Sequence, residues 1–265
     1  MRLLTVRPNP ETDAKLTLYL REPSEEMPQT ERPMILVLPG GAYLMTSDRE
    51  AETVAMKFYA EGYHAAVLRY TVAPAPLGLT PLTDALLAIR HIRAHAAEYH
   101  VLPERVAACG FSAGGHLTAS LGTTLTREPE LAQKLGDVAD CLPSALVLCY
   151  PVISAHQYAH RLSIEQLSGS GADDARSARF SLEERFTRET PPTFLWHTQD
   201  DDCVPVQNTL LAAGALQACG VPYELHIFRH GMHGLSLCTQ QTNLAEPHCA
   251  HWLPLCLEWL DEIWA

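Results

Sequence analysis

A single serine stands among small residues in the stretch GFSAGGH, residues 110–116, directly after the apolar run RVAACG. Two readings fit a hydroxyl in that setting. One is an inert glycine-rich turn; the other is a nucleophile lifted to the apex of a turn too tight for larger neighbours. Gly110, Ser112 and Gly114 have the spacing G-x-S-x-G, which suits the second, and Gly115 widens the space further. At ordinary glycine and serine frequencies a chain this long holds about 0.1 such matches by chance, so the motif needs support from elsewhere. A serine hydroxyl needs a base, and the base needs an acid to orient it. Asp200, Asp201 and Asp202 cluster in HTQDDDCVP, and His233 lies between Gly231 and Gly234 in FRHGMHGLSL. His230 is a rival base that lacks glycine on both sides. Serine, histidine and carboxylate together are the parts of nucleophilic acyl transfer.

These side chains must be positioned by elements far apart in the chain. Short apolar, β-branched runs predict strands at 16–20, 34–39, 64–70, 105–110, 145–151, 193–198 and 223–228. Several are apolar throughout, as strands buried on both faces of a parallel sheet must be. Helical periodicity predicts a helix over 82–97, with Leu82, Leu86, Ile89, Ile92 and Ala96 on one stripe. Further helices are expected after Ser112, over VQNTLLAAGALQACG before Gly220, and from about residue 250, with Trp252, Cys256, Trp259 and Ile263 on one side. Strand–helix alternation means an α/β fold with right-handed crossovers, in which ligands bind beyond the carboxyl ends of the strands. Ser112, the aspartate cluster and His233 each follow a predicted strand. The first predicted strand, LTLYL, reads as the edge of a hairpin. Residues 154–190 are polar with weak helical signals, and a stretch that long without a strand is expected to lie over a functional face as a cap or lid.

Composition narrows the classes of function. The chain has 265 residues, 47% hydrophobic, with a formal net charge of −12. That acidity, with no lysine or arginine run, argues against a nucleic-acid or anionic-membrane partner. The N-terminal MRLLTVRPNPETDAK has no adequate apolar core or cleavage site, and a cytoplasmic location is expected. The longest apolar stretch, MILVLPGGAYLM, is too short to span a bilayer. The eight cysteines form no CxxC pair and read as buried thiols. His248, Cys249 and His251 in PHCAHW have a spacing that suits no common zinc site, so no metal is expected.

The order serine, aspartate, histidine is the one used on α/β-hydrolase scaffolds. Over most of its length the chain resembles the short-chain esterases of that superfamily, close to the bacterial acetyl-xylan-esterase and hormone-sensitive-lipase-like group. LPGGAY resembles the family's oxyanion motif, RVAACGFSAGGHL the nucleophile elbow, PPTFLWHTQDDDCVPVQNTL the acid loop and GMHGLSL the histidine loop. The resemblance implies one α/β-hydrolase domain over residues 1–265. It would be a mostly parallel twisted sheet of about eight strands, with helices on both faces and a small cap at 154–190. It implies Ser112 as nucleophile, His233 as base and Asp201 as acid, since the pattern D-x-x-V-P places the acid four residues before Pro205. Asp200 is the fallback. An oxyanion hole would come from the backbone N–H groups of Gly41, Ala42 and Ala113. Pro39 stands where the family usually has histidine, and Ala42 replaces a third glycine but keeps its N–H.

The resemblance further implies hydrolysis of short acyl esters, acetyl first, from a sugar or another alcohol, with no cofactor. The expected partner is a small-molecule ester or acetylated sugar. Tyr43, beside the oxyanion turn, is expected to bind substrate, and His156 and Tyr158 are possible pocket residues. Amide, arylformamide or peptide cleavage on the same fold, and a catalytically silent binding module, are the alternative readings. A homo-oligomer formed through an exposed edge strand or the C-terminal helix is also open.

Overall fold

The apolar runs pair into one sheet of eight strands. A computed structural model describes residues 1–171 and 174–265; residues 172 and 173, within the expected cap, lie outside the described residues. The strands are β1 (Arg2–Val6), β2 (Lys15–Leu20), β3 (Arg32–Leu38), β4 (His64–Arg69), β5 (Val101–Phe111), β6 (Ala145–Cys149), β7 (Thr193–Thr198) and β8 (Tyr223–Phe228). They lie in the order β1-β2-β4-β3-β5-β6-β7-β8. β2 runs antiparallel to both β1 and β4, and every pairing from β4 onward is parallel. The α/β-hydrolase architecture expected from the resemblance is therefore the one the chain adopts.

The helices among the described residues are α1 (Glu52–Ala60), α2 (Thr80–Ala94), α3 (Ala96–Tyr99), α4 (Ala113–Thr123), α5 (Pro129–Leu135), α6 (Arg161–Ser168), α7 (Ala175–Ala178), α8 (Gln207–Cys219) and α9 (Trp252–Ile263). Alternate residues of the central strands face opposite helix layers. Met34, Leu36 and Leu38 of β3 pack with Leu82, Leu86, Ile89 and Ile92 of α2 and with Leu117 and Leu121 of α4. Ile35 and Val37 pack on the other face with Phe58 of α1 and with Trp252, Cys256 and Trp259 of α9. Leu146, Leu148 and Leu195 pack with Ala212 and Leu216 of α8. A strand covered on both sides has no polar face to alternate with, which is why these runs are apolar throughout.

Three expectations need correction. β1 was not expected, because RLLTV offers only a half-buried alternation and Leu3 is 58% exposed. It pairs from Arg2 opposite Leu20 to Val6 opposite Leu16, so β1 is the sheet edge and β2 lies inside. The helix expected over 82–97 ends at Ala94; Ala96–Tyr99 forms a separate turn that stops at His100, in the left-handed region at φ 57°. α1 was also missed. Between residues 154 and 190 there is no strand among the described residues, and α6 and α7 supply its helices. No helix among them is long and apolar enough to cross a membrane.

Candidate active site

Four loops meet at the carboxyl end of the sheet, after β3, β5, β7 and β8. The loop after β5 is the tightest. Ser112 sits at φ 53°, ψ −118°, a conformation that a residue with a Cβ adopts only when its surroundings hold it there. Its N–H donates to the Cys149 carbonyl at 3.0 Å, and its own carbonyl accepts from the N–H groups of His116 and Val152, each at 3.1 Å. Small neighbours are a packing requirement. A Cβ on Gly114 would overlap the Leu38 carbonyl oxygen and approach that of Pro39 to 2.5 Å, and one on Gly110 would overlap the Thr118 hydroxyl.

The loops after β7 and β8 bring the other two groups to the serine. His233 Nε2 lies 2.8 Å from Ser112 Oγ, and His233 Nδ1 lies 2.7 Å from Asp201 Oδ2. Asp201 is enclosed: Oδ1 accepts from the N–H groups of Cys203 (3.0 Å) and Val204 (2.9 Å), and Oδ2 also faces His197 Nε2 at 3.2 Å. Burial pushes the Asp201 carboxyl up. The hydrogen bonds from His197 and His233, the His233 charge and the Val204 N–H outweigh that and hold it well below the usual carboxylate range. An ionised carboxylate only accepts, so the His233 proton belongs on Nδ1 and Nε2 is left to accept from the serine hydroxyl. This arrangement can carry a proton away from Ser112 as its oxygen attacks a carbonyl.

The two rival residues found in the sequence pair with each other. His230 Nδ1 lies 2.9 Å from Asp200 Oδ2, and the Gly231 N–H donates to Asp200 Oδ1 at 2.8 Å. That pair is exposed and braces the histidine loop without touching Ser112.

The loop after β3 supplies donors. Gly41, Ala42 and Tyr43 follow one another at φ 123°, 56° and 60°. Among the described residues, the N–H groups of Gly41, Ala42 and Ala113 bond no protein acceptor. Ala113 opens α4, where the first N–H groups have no helical partner. Pro39, in the place of the family's histidine, has its carbonyl held by the Tyr70 hydroxyl at 2.5 Å.

A family model described as BD-FAE matches residues 18–216. The chain belongs to the BD-FAE family. Endo-1,4-beta-xylanase B of Butyrivibrio fibrisolvens is 36% identical over 214 residues, which are 80% of this chain and 34% of that protein. The acetylxylan esterase of Xylanibacter ruminicola is 28% identical over 211 residues, 77% of this chain and 41% of that protein. The chain thus spans less than half the length of these curated relatives. Solved structures match end to end. An acetyl ester-xyloside bifunctional hydrolase from Caldicellulosiruptor lactoaceticus is 37% identical, with 96% of this chain and 90% of that chain covered and a TM-score of 0.82. The carboxylesterase Cest-2923 from Lactobacillus plantarum is 27% identical, with coverage of 99% and 98% and a TM-score of 0.86.

In this BD-FAE chain a cavity of about 280 Å³ opens over Ser112 and His233. Gly41, Ala42, Met45, Glu50, His160, Leu162 and Cys203 are among the residues that line it. Tyr43 is not among them, which corrects its expected place at the substrate. Two successive positive φ values turn its ring back into the core, 1% exposed, where its hydroxyl meets His116 Nδ1 at 2.9 Å. From the 154–190 segment His160 and Leu162 reach the cavity, whereas His156 faces Glu184 at 3.6 Å.

Sequence reasoning missed Glu50, Tyr150, His160, His197 and Cys203. His197 carried a signal, being a histidine inside the apolar run TFLWHT; its Nδ1 accepts from the Thr209 hydroxyl at 2.7 Å, which leaves Nε2–H to donate to Asp201 and the Val204 carbonyl. Cys203 is exposed, unlike most of the other cysteines. At PHCAHW, the Cys249 thiol donates to the His230 carbonyl at 3.1 Å; among the described residues no three His, Cys, Asp or Glu side chains are grouped to hold a metal.

Proposed function

We propose that this chain is a serine esterase that removes short acyl groups, acetyl first, from a sugar or a similar alcohol. The observation that carries the proposal is the unbroken chain of hydrogen bonds from Ser112 through His233 to Asp201, beside the unpartnered N–H groups of Gly41 and Ala42, which line the cavity, and of Ala113, next in the chain to Ser112. Ser112 Oγ attacks the ester carbonyl while His233 Nε2 takes its proton, and Asp201 steadies the imidazolium. The N–H groups of Gly41, Ala42 and Ala113 meet the oxyanion, and each such donor is worth about 3 kcal/mol in the transition state. His233 returns the proton to the leaving alcohol, and water then hydrolyses the acyl-enzyme through the same groups. No step calls for a cofactor.

Acetyl as the acyl group and a sugar as the alcohol draw support from the relatives named for acetylxylan and for acetyl ester-xyloside hydrolysis. Within a single domain over 1–265, the segment 154–190 acts as a small cap that sets one wall of the cavity through His160 and Leu162.

The test is hydrolysis of p-nitrophenyl esters of increasing acyl length, run beside Ser112→Ala. Turnover of acetate that falls with chain length and disappears in the variant is the expected result. A folded wild type that turns over no ester would overturn the reading and leave amide cleavage or a silent binding module in its place.

A further inference from the structure

One buried carboxylate at the cavity has no part in the reaction just described. Glu50 is 3% exposed, lines the cavity and ends the short helical turn Asp48–Glu50. Both of its oxygens accept, the pattern of an ionised carboxylate. Oε2 accepts the Gly40 N–H at 2.9 Å, ten residues back in the chain, and Oε1 accepts the Tyr150 hydroxyl at 2.7 Å. The fit to Gly40 is close: a Cβ there would lie 2.7 Å from Glu50 Oε2 and 3.0 Å from Ser112 Cβ.

Tyr150 carries the connection to the histidine loop. It follows β6, is 2% exposed and is held at φ 37°. Its hydroxyl accepts the Ser236 N–H at 2.8 Å while donating to Glu50, and its ring stands edge-on to His233 with centroids 5.1 Å apart. Burial, then the Glu50 charge, raises this phenol well above its ordinary value, so it stays protonated and keeps donating. A second link closes the ring: the Ser236 hydroxyl donates to the Arg49 carbonyl at 2.6 Å.

We infer that Glu50 is a positioning residue that, through Tyr150, fixes the oxyanion turn and the His233 loop at one separation. The inference rests on the esterase reading of the site. Gly40 immediately precedes the donors Gly41 and Ala42, in a turn where Ala42 and Tyr43 both hold a positive φ against their preference. Such a turn keeps its shape only if it is tied down. A carboxylate is the suitable tie because it accepts from two donors at once. Its two donors sit on different oxygens, and an amide offers only one acceptor atom. In Glu50→Gln the amide oxygen satisfies one donor and the NH₂ group confronts the other, so either the Gly40 N–H or the Tyr150 hydroxyl proton loses its acceptor.

The experiment measures kcat and KM on p-nitrophenyl acetate for wild type, Glu50→Gln, Tyr150→Phe and the double variant, with Ser112→Ala as the blank. Thermal melts are recorded for each. Displacement of a transition-state donor by a fraction of an ångström predicts a fall in kcat of about ten- to a hundredfold, with KM within about threefold. Because both side chains act through one link, the double variant is expected to lose no more than the worse single variant. Tyr150→Phe removes one hydroxyl and little volume, so it carries the test if Glu50→Gln fails to fold. An active wild type with kcat unchanged in both single variants overturns the inference alone. So does a rise in KM with kcat intact, which would make Glu50 a substrate contact, and so does full additivity in the double variant. A wild type without esterase activity overturns the inference together with the reading beneath it.

Discussion

Acid should weaken this fold through His116, and the size of the effect can be worked from its surroundings. His116 lies one turn into α4 beyond Ser112 and is 1% exposed. Its Nε2–H donates to the Phe180 carbonyl at 2.9 Å and its Nδ1 accepts from the Tyr43 hydroxyl at 2.9 Å, so the ring is complete when neutral. Burial is the main cause that lowers its pKa from 6.5 to about 4. The unfolded chain takes up the proton first as pH falls, so the neutral folded form loses ground from about pH 6.5 and stops losing near pH 4. At 1.36 kcal/mol per tenfold, the loss across that window is about 3 kcal/mol. The assay is urea unfolding at pH 7.5 and pH 4 for wild type and His116→Gln, whose amide can still meet both partners but does not titrate. Wild type should lose about 3 kcal/mol more than the variant between the two conditions. Equal losses in the two proteins would refute the reasoning, because they would show that the imidazole takes up a proton as readily in the folded chain as in the unfolded one. His64, also buried and lowered to about 4 chiefly by burial, allows an independent repeat in a different part of the sheet.

The remaining predictions concern the site. In Asp201→Asn an amide N–H toward His233 Nδ1 forces the wrong imidazole tautomer, and kcat should fall about 10⁴-fold, whereas Asp200→Asn should cost only a few-fold; ester turnover by the two variants distinguishes them. Gly114→Ala drives a methyl into the Leu38 and Pro39 carbonyls, which should cost about 3 kcal/mol or more in urea unfolding and lower kcat by moving α4 away from β3.

Much of this protein was written locally. β3, β5, β6 and β7 are legible as apolar runs because each is covered on both faces, and the residues doing the covering need not be known. The elbow is legible because a sharp turn under a nucleophile admits only small side chains, and that demand falls on neighbours in the chain. β1 was not legible. Its half-buried alternation is weak, and only the ladder with β2 makes RLLTV a strand.

The three adjacent aspartates show where local reading stops. Their types and spacing are nearly equivalent, and what separates them is the direction each side chain takes off the loop after β7. Asp201 turns inward to His197 and His233, while Asp200 turns outward to His230. Tyr43 is a similar case: a tyrosine next to an oxyanion turn suggests a substrate contact, yet its backbone conformation sends the ring to His116. Glu50 and Tyr150 stand a hundred residues apart and meet only when the loops after β3, β6 and β8 converge. Sequence spacing fixes which residues share a strand or a turn. The partner of a buried polar group is fixed by the packing of distant loops, because every such group must find its hydrogen bond wherever the fold delivers one.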